Sequence, residues 1–244
     1  MSSVYKVWIP VFCLSFSAFI FNTTEFVPIA LLSDIAKDFS ISEAKAGHMI
    51  TLYAWCVTIL SLPLMLLTAK VERKKLLMFL FVIFIVGHLL SFFAWNFYVL
   101  LGGRFFIACA HAVFWSITAS LAFRLAPNGK GARALSFLAT GSALATVLGL
   151  PLGRMIGQAF GWRETFLVIG ILALFAMLSL FRYLPVSPSG KVGNLKSVPM
   201  LFKRGMLVSV FLLTALVVTA QFCAYSYIEP FTIQVSNFSE SFAT

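Results

Sequence analysis

From Leu76 to Phe123 the chain runs 48 residues with one charged side chain, Arg104. A helix crosses a hydrocarbon layer of roughly 30 Å with about 20 apolar residues, so this run is long enough for two crossings and has to reverse. The place for the reversal is Trp95-Asn96-Phe97-Tyr98, where aromatic rings suit the membrane interface. The same reading gives seven spans: Val7 to Leu32, Ala46 to Ala69, Leu76 to Ala94, Tyr98 to Phe123, Ala134 to Gly161, Thr165 to Phe181 and Gly205 to Ile228. With 61% hydrophobic and 11% charged residues, there is too little polar surface to cover a water-soluble globule. The first run is too long for a signal-peptide core and lacks a small-residue cleavage site, so it is expected to remain as a span.

Orientation follows from the basic residues, because cytoplasmic loops carry the excess of lysine and arginine. With the N-terminus inside, 13 of them fall in inner segments, only Lys37, Lys45 and Arg163 lie outside, and Arg104 and Arg154 lie within spans. The formal charge of +10 is therefore topogenic and does not form a nucleic-acid stripe. The longest connection holds Pro185, Pro188, Gly190, Gly193 and Pro199, the composition of a hinge. The organisation expected is a six-span bundle over residues 1–184, a cytoplasmic hinge over 185–204, and a seventh span with an outer tail over 205–244. Six spans, a hinge and one span read as the start of a two-fold repeat, with Glu25 and Pro28 faintly echoed by Glu229 and Pro230. On this reading the chain stops after the seventh span, and its partner is a missing C-terminal half.

Ionisable groups inside spans cost roughly 2.5–3.5 kcal/mol on insertion scales and so tend to face the bundle interior. Glu25, Arg104 and Arg154 each lie six or seven residues from an outer helix end, roughly 10 Å below the outer surface at about 1.5 Å per residue. Glu25 is expected to face Arg104 across the cavity as the group that takes up and releases a proton; the same pair would also serve as a static strut between spans one and four. Arg154 either joins this level or snorkels to the interface. Asn22 stands one turn before Glu25, and His111 and Trp115 follow Arg104 by seven and eleven residues, so each set shares a helix face. Asn22, Tyr53, His111, Trp115 and Arg154 are the candidate substrate contacts, offering hydrogen bonds and an aromatic platform, although His111 and Trp115 also fit plain packing roles. His48 and His88 are assigned no role.

In span five, Gly141, Ala145, Gly149, Gly153 and Gly157 recur every four residues, a small-residue ridge for close helix approach. Pro151 interrupts it and predicts a kink near the outer third. The four cysteines all lie in apolar runs, without a CxxC pair or a histidine cluster, and read as packing residues. Paired catalytic carboxylates, metal-ligand spacing and a nucleophile with its base are all lacking within the spans, so neither an enzyme nor a cofactor is expected.

With these residues in place, the chain resembles the drug/proton antiporter branch of the major facilitator superfamily, and within it the bacterial sugar efflux transporters. The segments that carry the likeness are Phe21-Asn-Thr-Thr-Glu-Phe-Val-Pro28, Ala110-His-Ala-Val-Phe-Trp-Ser-Ile-Thr-Ala-Ser120 and Gly149-Leu-Pro-Leu-Gly-Arg154. Gly149, Pro151 and Gly153 look like the antiporter motif of span five, with Arg154 where a second glycine is usual. Arg104 matches the arginine of span four, and Arg73, Lys74 and Lys75 match the basic end of the loop motif between spans two and three that gates the cytoplasmic side. Ala69 stands at that motif's aspartate and Glu72 at its second glycine. The resemblance implies a multi-pass protein of the bacterial inner membrane that exports sugars or sugar-like molecules in exchange for protons. Multidrug efflux and a non-transporting truncated fragment are the alternatives.

Overall fold

The computed structural model describes residues 2–127, 129–189 and 202–234, with the backbone alone for residues 2–7, 222 and 225–234. Gly190, Gly193 and Pro199 of the expected hinge, the side chains of Glu229 and Pro230, and the tail after Gln234 lie outside the described residues. The elements are α1 (Ser2–Ala30), α2 (Leu32–Asp38), α3 (Glu43–Leu67), α4 (Arg73–Phe92), α5 (Phe97–Leu125), α6 (Gly131–Leu144), α7 (Leu150–Phe160), α8 (Trp162–Tyr183) and α9 (Gly205–Gln234). Six stretches among the described residues are long and apolar enough to cross a membrane: Trp8–Ala30, α3, α4, α5, α6 through α7, and α8. The chain divides into two compact units at Gly190. The first is the six-span bundle; the second contains α9, the helix of the seventh expected span.

Helix boundaries follow local chemistry. Ser42 caps α3 by accepting from the Lys45 amide at 3.2 Å, and Asn96 caps α5 by accepting from the Val99 amide at 2.9 Å. Asn96 sits inside the aromatic turn expected at Trp95 to Tyr98, so the long apolar run does reverse there. Between α7 and α8 the chain turns at Gly161, whose φ of +114° is open to glycine and costly for other residues. Helix α2 replaces the outer end of the first expected span and a short loop.

Span five departs from the single kinked helix expected. A π-helical turn, Ala145–Gly149, separates α6 from α7, and Pro151 occupies the first turn of α7. Proline lacks the N–H that would bond the carbonyl four residues back and its ring crowds that carbonyl, so the wider turn before Pro151 takes up the mismatch.

Lipid tails are as apolar as leucine, so these helices associate through contact density and a few polar ties. Helix α1 is the central strut. Its Phe21 stacks on Phe114 with centroids 3.9 Å apart and on Phe84 at 4.1 Å, a fully buried aromatic column joining α1, α5 and α4. The small-residue ridge packs on the other side of α1. A Cβ at Gly141 would collide with the Ser15 backbone, at Gly149 with Thr23, at Gly153 with Val27 and at Gly157 with Leu31. The four-residue period of one helix therefore meets the four-residue period of the next. Helices α4 and α5 cross equally closely at Gly87 and Gly103, where a Cβ on either would lie 2.7 Å from the other's carbonyl oxygen.

Candidate functional site

Thr24 and Glu25 lie on α1 opposite the buried face of α5, and their backbone and side chains organise a polar cluster inside the bundle. Arg104 is 2% exposed; its Nη1 donates to the Thr24 carbonyl at 2.9 Å, and its guanidinium lies 4.1 Å from the Tyr53 ring centroid. Its Nε and Nη2 are buried without a hydrogen-bond partner among the described residues. Those two atoms form the side-on edge of the guanidinium, the edge whose parallel N–H groups match two oxygens of one acceptor group. The Tyr53 hydroxyl is also buried and has no hydrogen-bond partner among the described residues. Tyr53 and Arg104 line a cavity of about 140 Å³ between α3 and α5, together with apolar side chains such as Met49 and Leu101.

Glu25 and Arg104 stand within electrostatic reach of each other, as expected, but among the described residues no ion pair joins them directly. The near partner of the Glu25 carboxylate is His111, with Oε2 and Nε2 3.6 Å apart, while Arg104 spends its one hydrogen bond on a backbone carbonyl. The reason is reach: His111 follows Arg104 by about two helical turns on the same face, and α1 presents a carbonyl to the arginine and a side chain to the histidine. His111 also accepts from Trp115 Nε1 at 2.8 Å, so the face expected to carry Arg104, His111 and Trp115 does carry all three. The His111 ring stands edge-on to Tyr53, centroids 5.6 Å apart. Glu25, His111, Trp115, Tyr53 and Arg104 thus come together.

Asn22 does not join them as a free contact. Its amide donates to the hydroxyl of Ser142 and, at 3.4 Å, to the Ser142 carbonyl, tying α1 to α6. Arg154, half-buried on α7, follows Gly153, whose backbone abuts Val27.

His88, assigned no role above, is a buried member of the neighbouring network. Its Nδ1 faces the Phe84 carbonyl at 2.9 Å and therefore carries the proton of the neutral ring; its Nε2 then accepts from the Thr24 hydroxyl at 2.6 Å. Thr24 thereby binds Arg104 through its carbonyl and His88 through its hydroxyl, joining α1, α5 and α4. The available signal was simple: a histidine in an apolar span has to find a partner, and the hydroxyl-rich Thr23-Thr24 pair was the nearest supply.

The basic cluster between α3 and α4 has a different logic. Glu72 caps α4, accepting from the amides of Lys74 and Lys75, each at 2.9 Å. It also accepts from the Ser187 amide at 2.7 Å, while the Arg73 amide donates to the Ser187 carbonyl at 2.9 Å. The residue at the place of the motif glycine thus latches the segment after α8 onto the loop between α3 and α4. Partial burial pushes the Glu72 carboxyl upward, and the three backbone donors outweigh this and hold it below the usual carboxylate range. Arg73 reaches back to the Ala69 carbonyl at 3.2 Å, and Lys74 lies over the Phe181 ring at 5.3 Å. At the opposite end of the bundle, Arg163 donates to Asp38 at 2.7 Å and to the Ala94 carbonyl at 2.8 Å.

Residues 12–244 match the family described as the Major Facilitator Superfamily. Among solved structures, a bacterial homologue of the human lysosomal transporter Spinster, inward-facing and unoccupied, is 18% identical with a TM-score of 0.71, covering 97% of this chain and 57% of that one. A peptide transporter POT in complex with sulfate is 14% identical with a TM-score of 0.67, covering 92% of this chain and 49% of that one. A POT family transporter in complex with 5-aminolevulinic acid is 12% identical with a TM-score of 0.64, covering 97% and 48%. At these identities the likeness is one of fold, and the chain spans about half the length of the solved structures it matches.

Proposed function

This chain belongs to the major facilitator superfamily, and on that premise we propose that it forms the coupling half of a secondary transporter that exports a small sugar-like molecule in exchange for protons. The observation that carries this reading is Glu25, a carboxylate inside a membrane-spanning bundle, one-third exposed and 3.6 Å from a buried histidine. An ionisable group in that position is expensive for structure alone, and it can take up a proton from one side of the membrane and lose it to the other as access alternates. Substrate recognition is assigned to the same cluster. The unpaired side-on edge of Arg104 and the Tyr53 hydroxyl present donors that the oxygens of a polyhydroxylated ligand would satisfy, and the half-buried Trp115 supplies a face for a sugar ring. The ridge from Gly141 to Gly157 would let α6 and α7 rock against α1 without side chains in the way, and Arg73, Lys74 and Lys75 with the Glu72 latch would close the cytoplasmic end.

The test is exchange in vesicles: uptake of labelled arabinose or isopropyl-thiogalactoside against unlabelled sugar, with and without a proton gradient, for the parent and for Glu25→Gln. The proposal expects gradient-driven accumulation in the parent and only passive exchange in the variant. Gradient-driven accumulation that survives in Glu25→Gln would remove the coupling role, and accumulation of lipophilic cations in place of sugars would turn the reading to multidrug efflux.

A further inference from the structure

One nitrogen of His111 is claimed by two neighbours. The Trp115 indole donates to Nε2 at 2.8 Å, and Oε2 of Glu25 lies 3.6 Å from the same atom. An indole N–H is a donor only, so Nε2 holds a lone pair in this arrangement and the ring proton is on Nδ1, which is buried and has no hydrogen-bond partner among the described residues. A nitrogen that accepts from Trp115 cannot at the same time donate to Glu25.

We propose that His111 is the residue through which a proton is made to compete with substrate: unprotonated at Nε2 it pins the Trp115 ring in place, and protonated there it turns to Glu25 and lets the ring go. The step balances with one proton. The incoming proton bonds to Nε2, the Trp115 N–H···N bond breaks, and the new N–H donates to the Glu25 carboxylate; the pair passes from one negative charge to none. The inference rests on the export reading above, and deepens it by naming how a proton reaches the ligand platform. A pinned indole is a preorganised face for stacking, and a released one is not. Substrate therefore favours the unprotonated pair, as exchange requires.

The surroundings allow this division of labour. Around His111 stand Glu25 from α1, Tyr53 from α3 and, within electrostatic reach on its own helix, Arg104. Helix α4 brings His88, already held by Thr24 and the Phe84 carbonyl, and the one charged residue of α6, Arg133, lies over Trp8 and Phe137. Glu25 is thus the near anion for a protonated His111. The missing acceptor at Nδ1 also leaves the ring without a bond that would oppose its turning.

The experiment is 19F NMR of the full chain in nanodiscs with its five tryptophans replaced by 5-fluorotryptophan. The Trp115 resonance is assigned by its loss in Trp115→Phe and followed from pH 5 to pH 9. The proposal expects that signal to shift or exchange with pH while the other four stay in place, the pH response to be lost in His111→Gln, and its midpoint to move in Glu25→Gln. The four remaining signals report folding of each variant. A Trp115 signal that is flat across the range in the parent, or that keeps its pH response in a folded His111→Gln, would overturn the proposal. The readout needs no transport: a responsive Trp115 without exchange in vesicles removes the export reading, whereas exchange with a silent Trp115 removes this inference alone.

Discussion

Two adjacent glycines on α5 should behave in opposite ways. A methyl group at Gly103 would lie 2.7 Å from the Gly87 carbonyl oxygen, 2.6 Å from Ser91 Oγ and 3.1 Å from the Ser91 nitrogen. Carbon–oxygen contacts between packed helices settle near 3.3 Å, so α5 would have to retreat from α4 by roughly 0.6 Å. Two of the three obstructing atoms are backbone and cannot swing aside, and overpacking of this kind costs about 1–3 kcal/mol. Arg104 is the next residue, so the retreat also strains its 2.9 Å bond to Thr24. A methyl at Gly102 meets nothing within 4 Å. There, alanine gains helix propensity of up to about 1 kcal/mol. Both substitutions gain the same propensity, so Gly103→Ala should be the less stable of the two by the overpacking cost, roughly 1–3 kcal/mol, and Gly102→Ala should hold or raise stability. Detergent-titrated unfolding of the purified chain, followed by circular dichroism, measures the difference. Equal stability of both variants, or loss at Gly102 alone, would refute the close α4–α5 crossing and with it the placement of Arg104.

The Glu72 latch makes a prediction about pH: because its carboxyl is held low, the stabilisation is present above the range where a free glutamate titrates and is lost as pH falls through the lowered value. Melting temperature between pH 7 and pH 3 should fall more steeply in the parent than in Glu72→Gln, by an amount worth at most about 1 kcal/mol for so exposed a group. Gly161→Ala, forced to φ +114°, should cost about 1–3 kcal/mol in the same unfolding assay. Asn22→Ala and Ser142→Ala should each cost about 0.6 kcal/mol, and the double variant no more than either alone, since both remove one interhelical tie.

The spans were legible because hydrocarbon enforces a length, and the turn at Asn96 because aromatic rings and a capping amide mark an interface. The ridge from Gly141 to Gly157 was legible by its period, although its partner was not: Ser15, Thr23 and Val27 on α1 and Leu31 just past its end share a spacing that becomes meaningful only opposite the glycines. Gly87 and Gly103 escaped notice because a single glycine on each of two helices makes no pattern until the helices cross. Within the site, composition and helical spacing picked out Glu25, Arg104, His111 and Trp115 but not their pairing. That choice depends on which α1 atoms face α5 at each level, a matter of helix rotation by tens of degrees. The same rotation sends Asn22 toward Ser142, away from the role of a free ligand contact. The π-helical turn was hidden because sequence signals the proline and not how the backbone accommodates it. Glu72 was visible as a departure from a motif; its partner, Ser187, lies 115 residues away.

The central claim, that Glu25 with His111 holds the proton that substrate displaces, is tested most directly by proton release. Adding saturating sugar to the full chain in weakly buffered nanodiscs should release protons in the parent, with a pH indicator recording the burst, and should release fewer at the same pH in Glu25→Gln that still binds the sugar. An equal burst from both proteins would contradict the account, because the displaced proton would then reside elsewhere.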